Sequence, residues 1–250
     1  MMSMIIKYLS QITVTLFLVC FVVNPVFAAE GKRISGKTSE INRTLMLPQT
    51  GSETVGMAFF KTAKTQPDLK DWAGKTKKTQ DAPVYDRDIV ARTEFNRLQN
   101  KFANYDVQTP ITVHAQISLE RYSPKQQVLF LPYFYPELYF PYDVFGMPVA
   151  ILAKDIDRFN EIFIPGAEAQ QMMDKTQGNQ AIVELSLVPA LARTGETLPL
   201  NGTDFYPFLT QVAQVVIWNT NDDHRLPLWS WRADWYTPKQ DSELLDLFKK

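Results

Sequence analysis

Cysteine is almost missing from this chain of 250 residues: the only one is Cys20. Everything after it is free of thiols, which excludes disulfides, a cysteine nucleophile and any zinc site built on thiolates from the body of the protein. Histidine is nearly as scarce, with His114 and His224 alone. The sequence also lacks a Gly-x-Ser-x-Gly elbow, a His-Glu-x-x-His pair and a glycine-rich phosphate loop. No cofactor and no metal is therefore expected. Nor does a surplus of one charge stand out, because 26 basic residues face 27 acidic ones. That balance gives no reason to expect a nucleic-acid partner.

What the chain does have begins at its amino terminus. Lys7 closes a short cationic stretch, and residues 8–23 carry no charge and include Ile12, Val14, Leu16, Phe17, Leu18, Val19, Phe21, Val22 and Val23. Asn24-Pro25 breaks the helix that such a run favours, and Val26-Phe27-Ala28 follows as a signal-peptidase site. Residues 1–28 thus read as a Sec signal peptide, with the mature chain starting at Ala29 in the periplasm or outside the cell. Two rivals deserve weighing. Lipoprotein cleavage before Cys20 wants a small preceding residue, whereas Leu18 and Val19 stand there. An uncleaved signal anchor is closer to the mark, since a spanning helix needs about 20 apolar residues and this run falls only slightly short.

Residues 29–51 are polar and read as a flexible leader, leaving 52–250 as one α+β domain. Between Ala29 and Tyr105 there are 14 basic and 9 acidic residues, so the N-terminal third is mildly basic. The spacing of Lys70, Lys75, Lys77 and Lys78 suits an anionic partner, although a solvated helix face is the plainer reading.

Periodicity supplies the elements. Ser52 is placed to cap a short helix over 53–63, a second helical piece follows Pro67 with Leu69 and Trp72, and 74–83 reads as a loop. From Arg87 to Tyr105 the positions Ala91, Phe95, Leu98 and Phe102 predict one buried helical stripe, with Arg87, Arg92, Arg97 and Lys101 solvated. The period then changes to two. Ile111, Val113, Ala115, Ile117 and Leu119 alternate with polar residues, a turn follows at 122–125, and 127–133 reads as the return strand of an antiparallel hairpin. Further strands are expected at 148–153, 181–188 and 211–218, a helix at 165–175, and a last amphipathic helix capped by Ser242. Helices first and strands afterwards predict a helical N-terminal part followed by a mostly antiparallel sheet, with a long aromatic and proline-rich loop and a short C-terminal helix.

Candidates for chemistry are thin. His114 lies on the polar side of its strand, and Asn221-Asp222-Asp223-His224-Arg225 reads as a turn more readily than as a metal site. Glu120, Glu137, Asp143 and Asp155 can be combined into a glycosidase-like carboxylate pair, a pattern that any acidic surface offers.

Aromatics are the unusual feature. Between Phe130 and Phe145, eight of sixteen positions are aromatic and are interleaved with Pro132, Pro136 and Pro141, which rules out a regular helix or a central strand. Four of five tryptophans cluster at Trp218, Trp229, Trp231 and Trp235, beside Tyr236. Side chains that combine an apolar face with a polar tip suit binding surfaces, while a shared core is the plainer use of such rings. Tyr133, Tyr135, Tyr139 and Tyr142, with Trp229 and Trp231, are the expected contacts. The reading is an exported, non-enzymatic cell-envelope protein that binds a partner protein or a glycan, meeting the membrane only through an uncleaved signal. The alternative is a periplasmic hydrolase acting on a glycan or ester.

Overall fold

The computed structural model of the chain describes residues 46–48, 50–176, 179–219 and 227–238. The expected signal peptide, most of the leader, the turn containing His224 and the helix capped by Ser242 lie outside them.

Among the described residues, four helices follow one short strand: α1 (Ser52–Thr62), α2 (Leu69–Lys75), α3 (Lys77–Asp81) and α4 (Arg87–Ala103). A fifth, α5 (Gly166–Lys175), falls among the strands β1 (Met46–Pro48), β2 (Ile111–Ser118), β3 (Tyr122–Ser123), β4 (Val128–Phe130), β5 (Tyr139–Val144), β6 (Met147–Lys154), β7 (Glu161–Phe163), β8 (Gln180–Ala192), β9 (Leu198–Leu200), β10 (Thr203–Asn219) and β11 (Pro227–Arg232). The α+β class and the order of helices before sheet are those the periodicity predicts.

Eight strands form the large sheet in the order β1-β2-β8-β10-β6-β5, with β9 and β11 also on β10. Its ladders are antiparallel except β6 with β10, which is parallel. On one edge of β10, β6 pairs with residues 206–211 and β11 takes over at 214–218, so the long strand is covered along most of its length. A second sheet of three short strands runs β3-β4-β7.

Several local expectations change. The hairpin between 111–119 and 127–133 does not form. A helical turn at Leu119–Arg121 redirects the chain, β2 pairs instead with β8 over Ile111↔Leu187 to Ser118↔Gln180, and β4 joins the small sheet. Met46–Pro48, inside the stretch read as a leader, pairs with Val113–Ala115. Within the expected loop 74–83, the Thr76 hydroxyl accepts from the Thr79 amide and starts α3, a helix without one apolar residue. The aromatic loop becomes β5 from Tyr139 onward. Pro141 is tolerated because β5 is an edge strand, pairing only with β6.

One face of the large sheet carries the core. Val113 and Ile117 from β2, Leu185 and Val183 from β8, and Val215 and Ile217 from β10 are all essentially buried. Against this face lies α1, whose Phe59 meets Phe208 edge to face at 5.5 Å. Aromatic contacts then run outward: Phe59 to Phe60 at 5.3 Å, Phe60 to Trp72 at 5.6 Å, and Trp72 stacked on Phe145 at 4.8 Å. Phe145 and Gly146 form the two-residue turn between β5 and β6, with φ of 54° and 90°. Glycine enters that region freely, whereas phenylalanine does so at a cost. The ring stacked on Trp72 and the Lys75 Nζ that donates to the Phe145 carbonyl at 3.0 Å hold it there.

On α4 the buried stripe is shifted from the one expected. Leu98 and Phe102 are buried, but Ala91 and Phe95 are only half-buried, and Glu94 is 3 % exposed instead. Glu94 lies between Arg97 and Lys78, at 2.8 and 3.2 Å. Arg97 also grips Glu53 with two hydrogen bonds of 2.9 and 2.7 Å, and Lys101 reaches the same carboxylate at 2.8 Å. Arg97 and Lys101 are therefore not simply solvated. They tie α4 to α1, and the Arg97 hydrogen bonds are the main reason the Glu53 carboxyl is lowered to about 2, against the opposing effect of burial.

Candidate binding surface

The predicted aromatic contacts separate into three environments. Tyr139 and Tyr142, two of the expected contacts, are 5 % and 6 % exposed and so are buried, not open to a ligand. The reason is the strand: β5 turns Tyr142 into the core with Phe140 and Val144. On its other face Tyr139 packs beside Phe205 at 5.6 Å and accepts from Asn201 Nδ2 at 2.6 Å. Burial pushes the Tyr142 hydroxyl up to about 12. Tyr135 is half-buried with its hydroxyl pointed inward.

Tyr133 sits differently. It is half-buried, and the Arg121 guanidinium lies over its ring at 5.4 Å and donates to its hydroxyl at 3.4 Å. Trp231, also half-buried, carries Arg158 over its ring at 4.0 Å and meets Phe159 edge on at 5.0 Å. The Leu131 amide donates to the Asn160 carbonyl at 2.7 Å, so the segment holding Tyr133 runs beside the one holding Arg158. Trp229 and Trp231 lie opposite Ile217 and Val215 and pack against the core from β11.

Tyr85, Phe163 and Trp235 are the exposed aromatics among the described residues, and of these only Trp235 stands in the tryptophan cluster. Trp235 is 54 % exposed and meets Tyr236 edge to face at 6.0 Å. Two clefts flank this pair. One, of about 250 Å³, is lined by Gln108, Pro110, Val188, Trp235, Tyr236 and Thr237; the other, of about 410 Å³, by Arg232, Ala233, Asp234, Tyr236 and Thr237. Burial raises the Tyr236 hydroxyl above its ordinary value, which keeps it a neutral donor. One cleft thus offers an indole face, a phenol and an amide, the other a guanidinium, a carboxylate and the same phenol. The backbone is held by the Ala233 amide to the Ala213 carbonyl at 2.9 Å and the Tyr236 amide to the Ala233 carbonyl at 3.0 Å. Trp235 stands four residues beyond Trp231, in the same cluster of tryptophans, which is the signal that marks the region.

His114 acquires a partner absent from the sequence reading. It lies opposite Glu184 in the β2–β8 register, and Nε2 is 2.7 Å from the carboxylate. Thr112 and Ser186 form the next row on the same face. Among the described residues no group of three or more histidine, cysteine, aspartate or glutamate side chains gathers as a metal site would require, and no helix is long and apolar enough to cross a membrane. No family model matches the chain, and neither a curated protein nor a solved structure matches it.

Proposed function

We propose that the chain is exported by its N-terminal signal, is cleaved before Ala29, and works in the bacterial cell envelope as a non-catalytic protein that binds a glycan. The observation that carries this reading is Trp235: a large aromatic face, 54 % exposed, that lines one cleft with Gln108 and Tyr236, and Tyr236 in turn lines a second cleft with Asp234 and Arg232. A sugar ring presents an apolar C–H face framed by hydroxyls. An aromatic plane bordered by fixed donors and acceptors complements both parts. The Arg121–Tyr133 and Arg158–Trp231 pairs add rings already held in place, so little order is lost when a ligand meets them.

The test uses the mature protein and purified peptidoglycan sacculi. Trp235→Ala is expected to lower retention on sacculi about tenfold with an unchanged melting temperature, the effect of removing an exposed hot-spot ring. Equal retention of the variant, or no retention of the parent, overturns the glycan reading. Capture of an envelope protein in place of sacculi would assign the surface to a protein partner. N-terminal sequencing of the exported form reads the processing step, with Ala29 expected first and an intact Met1 refuting cleavage.

A hydrolase is the second reading, favoured by His114 and Glu184 at 2.7 Å beside the row of Thr112 and Ser186. A histidine oriented by a carboxylate is the arrangement that activates a hydroxyl. It ranks second because β2 lies between β1 and β8, where backbone amides that would hold an oxyanion are engaged in ladders. Ester turnover abolished by His114→Gln would reverse the order.

A further inference from the structure

Directly paired residues of neighbouring strands point to the same face of a sheet, so the registers of β2, β8, β10 and β11 define the side of the large sheet turned away from α1. Thr112, Ser186, Gln214 and Arg232 stand in one row across all four strands. His114, Glu184, Val216 and Ser230 form the next row. Neither row faces the core, because the residues between them along the strands, Val113, Leu185 and Val215, are the ones that do. Of the eight side chains only Val216 is apolar, and only Val216 is buried. This platform is continuous with the Trp235 cleft. Pro110 comes two residues before Thr112 and Val188 two after Ser186, and both line that cleft with Trp235 and Tyr236. Arg232, at the β11 end of the first row, lines the second cleft with Tyr236. From Val188 to Glu184 the strand rises about 14 Å, and three strand spacings from Thr112 to Arg232 make about 14 Å across. One sugar ring stacked on Trp235 covers a small part of that area.

We propose that cleft and platform are one site for an extended glycan of several sugars, which runs from Trp235 along the strands to the His114–Glu184 pair. The proposal rests on the glycan reading of Trp235 and adds the form of the ligand. The chemistry of the rows selects it. Hydroxyls at Thr112, Ser186 and Ser230, the amide of Gln214, the Arg232 guanidinium, the Glu184 carboxylate and the His114 ring place donors and acceptors side by side at strand spacing, which is what a chain of hydroxylated rings requires. A protein partner fits this face less well on two counts. Its interface wants an apolar centre poor in charge, and these rows offer Val216 alone. Nor can it add a strand here, because β8 and β10 are paired on both edges.

Peptidoglycan glycan-strand fragments of two and six sugars, titrated into the mature protein by calorimetry, read the length of the site. The six-sugar fragment is expected to bind about tenfold more tightly than the two-sugar fragment. Ser186→Ala combined with Gln214→Ala should cut that gain to about threefold or less, whereas Trp235→Ala should weaken both fragments alike. Melting temperature checks that each variant is folded, and Arg232→Gln, at an exposed position, replaces the pair if it is not. Equal binding of the two fragments by the parent, with both weakened by Trp235→Ala, overturns the extended site and leaves the glycan reading of Trp235 standing. A length gain that the platform substitutions do not alter overturns the extended site as well. Binding of neither fragment overturns both readings.

Discussion

Replacing Gly56 by alanine tests the packing of α1 against the sheet, because two opposing effects act at one atom. A methyl group in mid-helix favours the helix by about 1 kcal/mol over glycine. At Gly56, however, a Cβ would stand 2.5 Å from Val144 Cγ1 and 2.7 Å from Trp72 Cη2. Neither neighbour has room to retreat. Val144 is 1 % exposed at the end of β5, and Trp72 is held between Phe60 at 5.6 Å and Phe145 at 4.8 Å. Overpacking of this kind costs about 1–3 kcal/mol, and two contacts below 3.0 Å place it near the upper end. The net loss is then about 2 kcal/mol, which for a domain of this size lowers Tm by about 4–8 °C. Gly74 of α2 is the control, since a Cβ there meets nothing within 4 Å. Thermal unfolding followed by circular dichroism should therefore move in opposite directions, down for Gly56→Ala and slightly up for Gly74→Ala. A Tm for Gly56→Ala equal to or above that of the parent would refute the close approach of α1 to Trp72 and Val144.

Two further outcomes follow from individual side chains. The lowered carboxyl of Glu53, at about 2 against 4.5, contributes stability that is fully present above pH about 4.5 and is lost as pH falls through about 2. Acid titration of unfolding should show that loss, and Glu53→Gln should flatten it. The buried Tyr142 hydroxyl meets no hydrogen-bond partner among the described residues, so Tyr142→Phe should leave Tm unchanged or raise it. A fall of several degrees would place a bound partner on that oxygen.

The fold was legible where burial has a simple period. β2 shows it best: its pattern of Ile111, Val113, Ala115 and Ile117 inward is the alternation read from the residues. Pairing was not legible, because nearness in sequence favours a hairpin with 127–133, whereas the partner of β2 is β8, about 70 residues later. β5 hid for another reason. Tyr139 and Phe140 are both buried, on opposite faces, so no alternation appears there, and Pro141 excludes a central strand without distinguishing an edge strand from a loop. Nothing apolar marks α3. Only the Thr76 cap and the turn it closes create it.

The site was less legible than the fold, and charge shows why. Glu94 at a buried helical position contradicts any hydrophobic pattern until Arg97 and Lys78 are seen beside it, and Arg97 in turn is anchored by Glu53, 44 residues away. Aromatic rings carry the same ambiguity, since a tyrosine suits a core or a surface and its own residue type does not decide between them. Strand phase decided it for Tyr142, whose ring follows the core face of β5, and a packed neighbour decided it for Tyr139 through Asn201 and Phe205. Trp235 lies past the end of β11, where no ladder directs its side chain to either face of the sheet. Freedom from a strand is what leaves the indole face of Trp235 available, whereas Tyr139 and Tyr142 are committed by the strand that holds them.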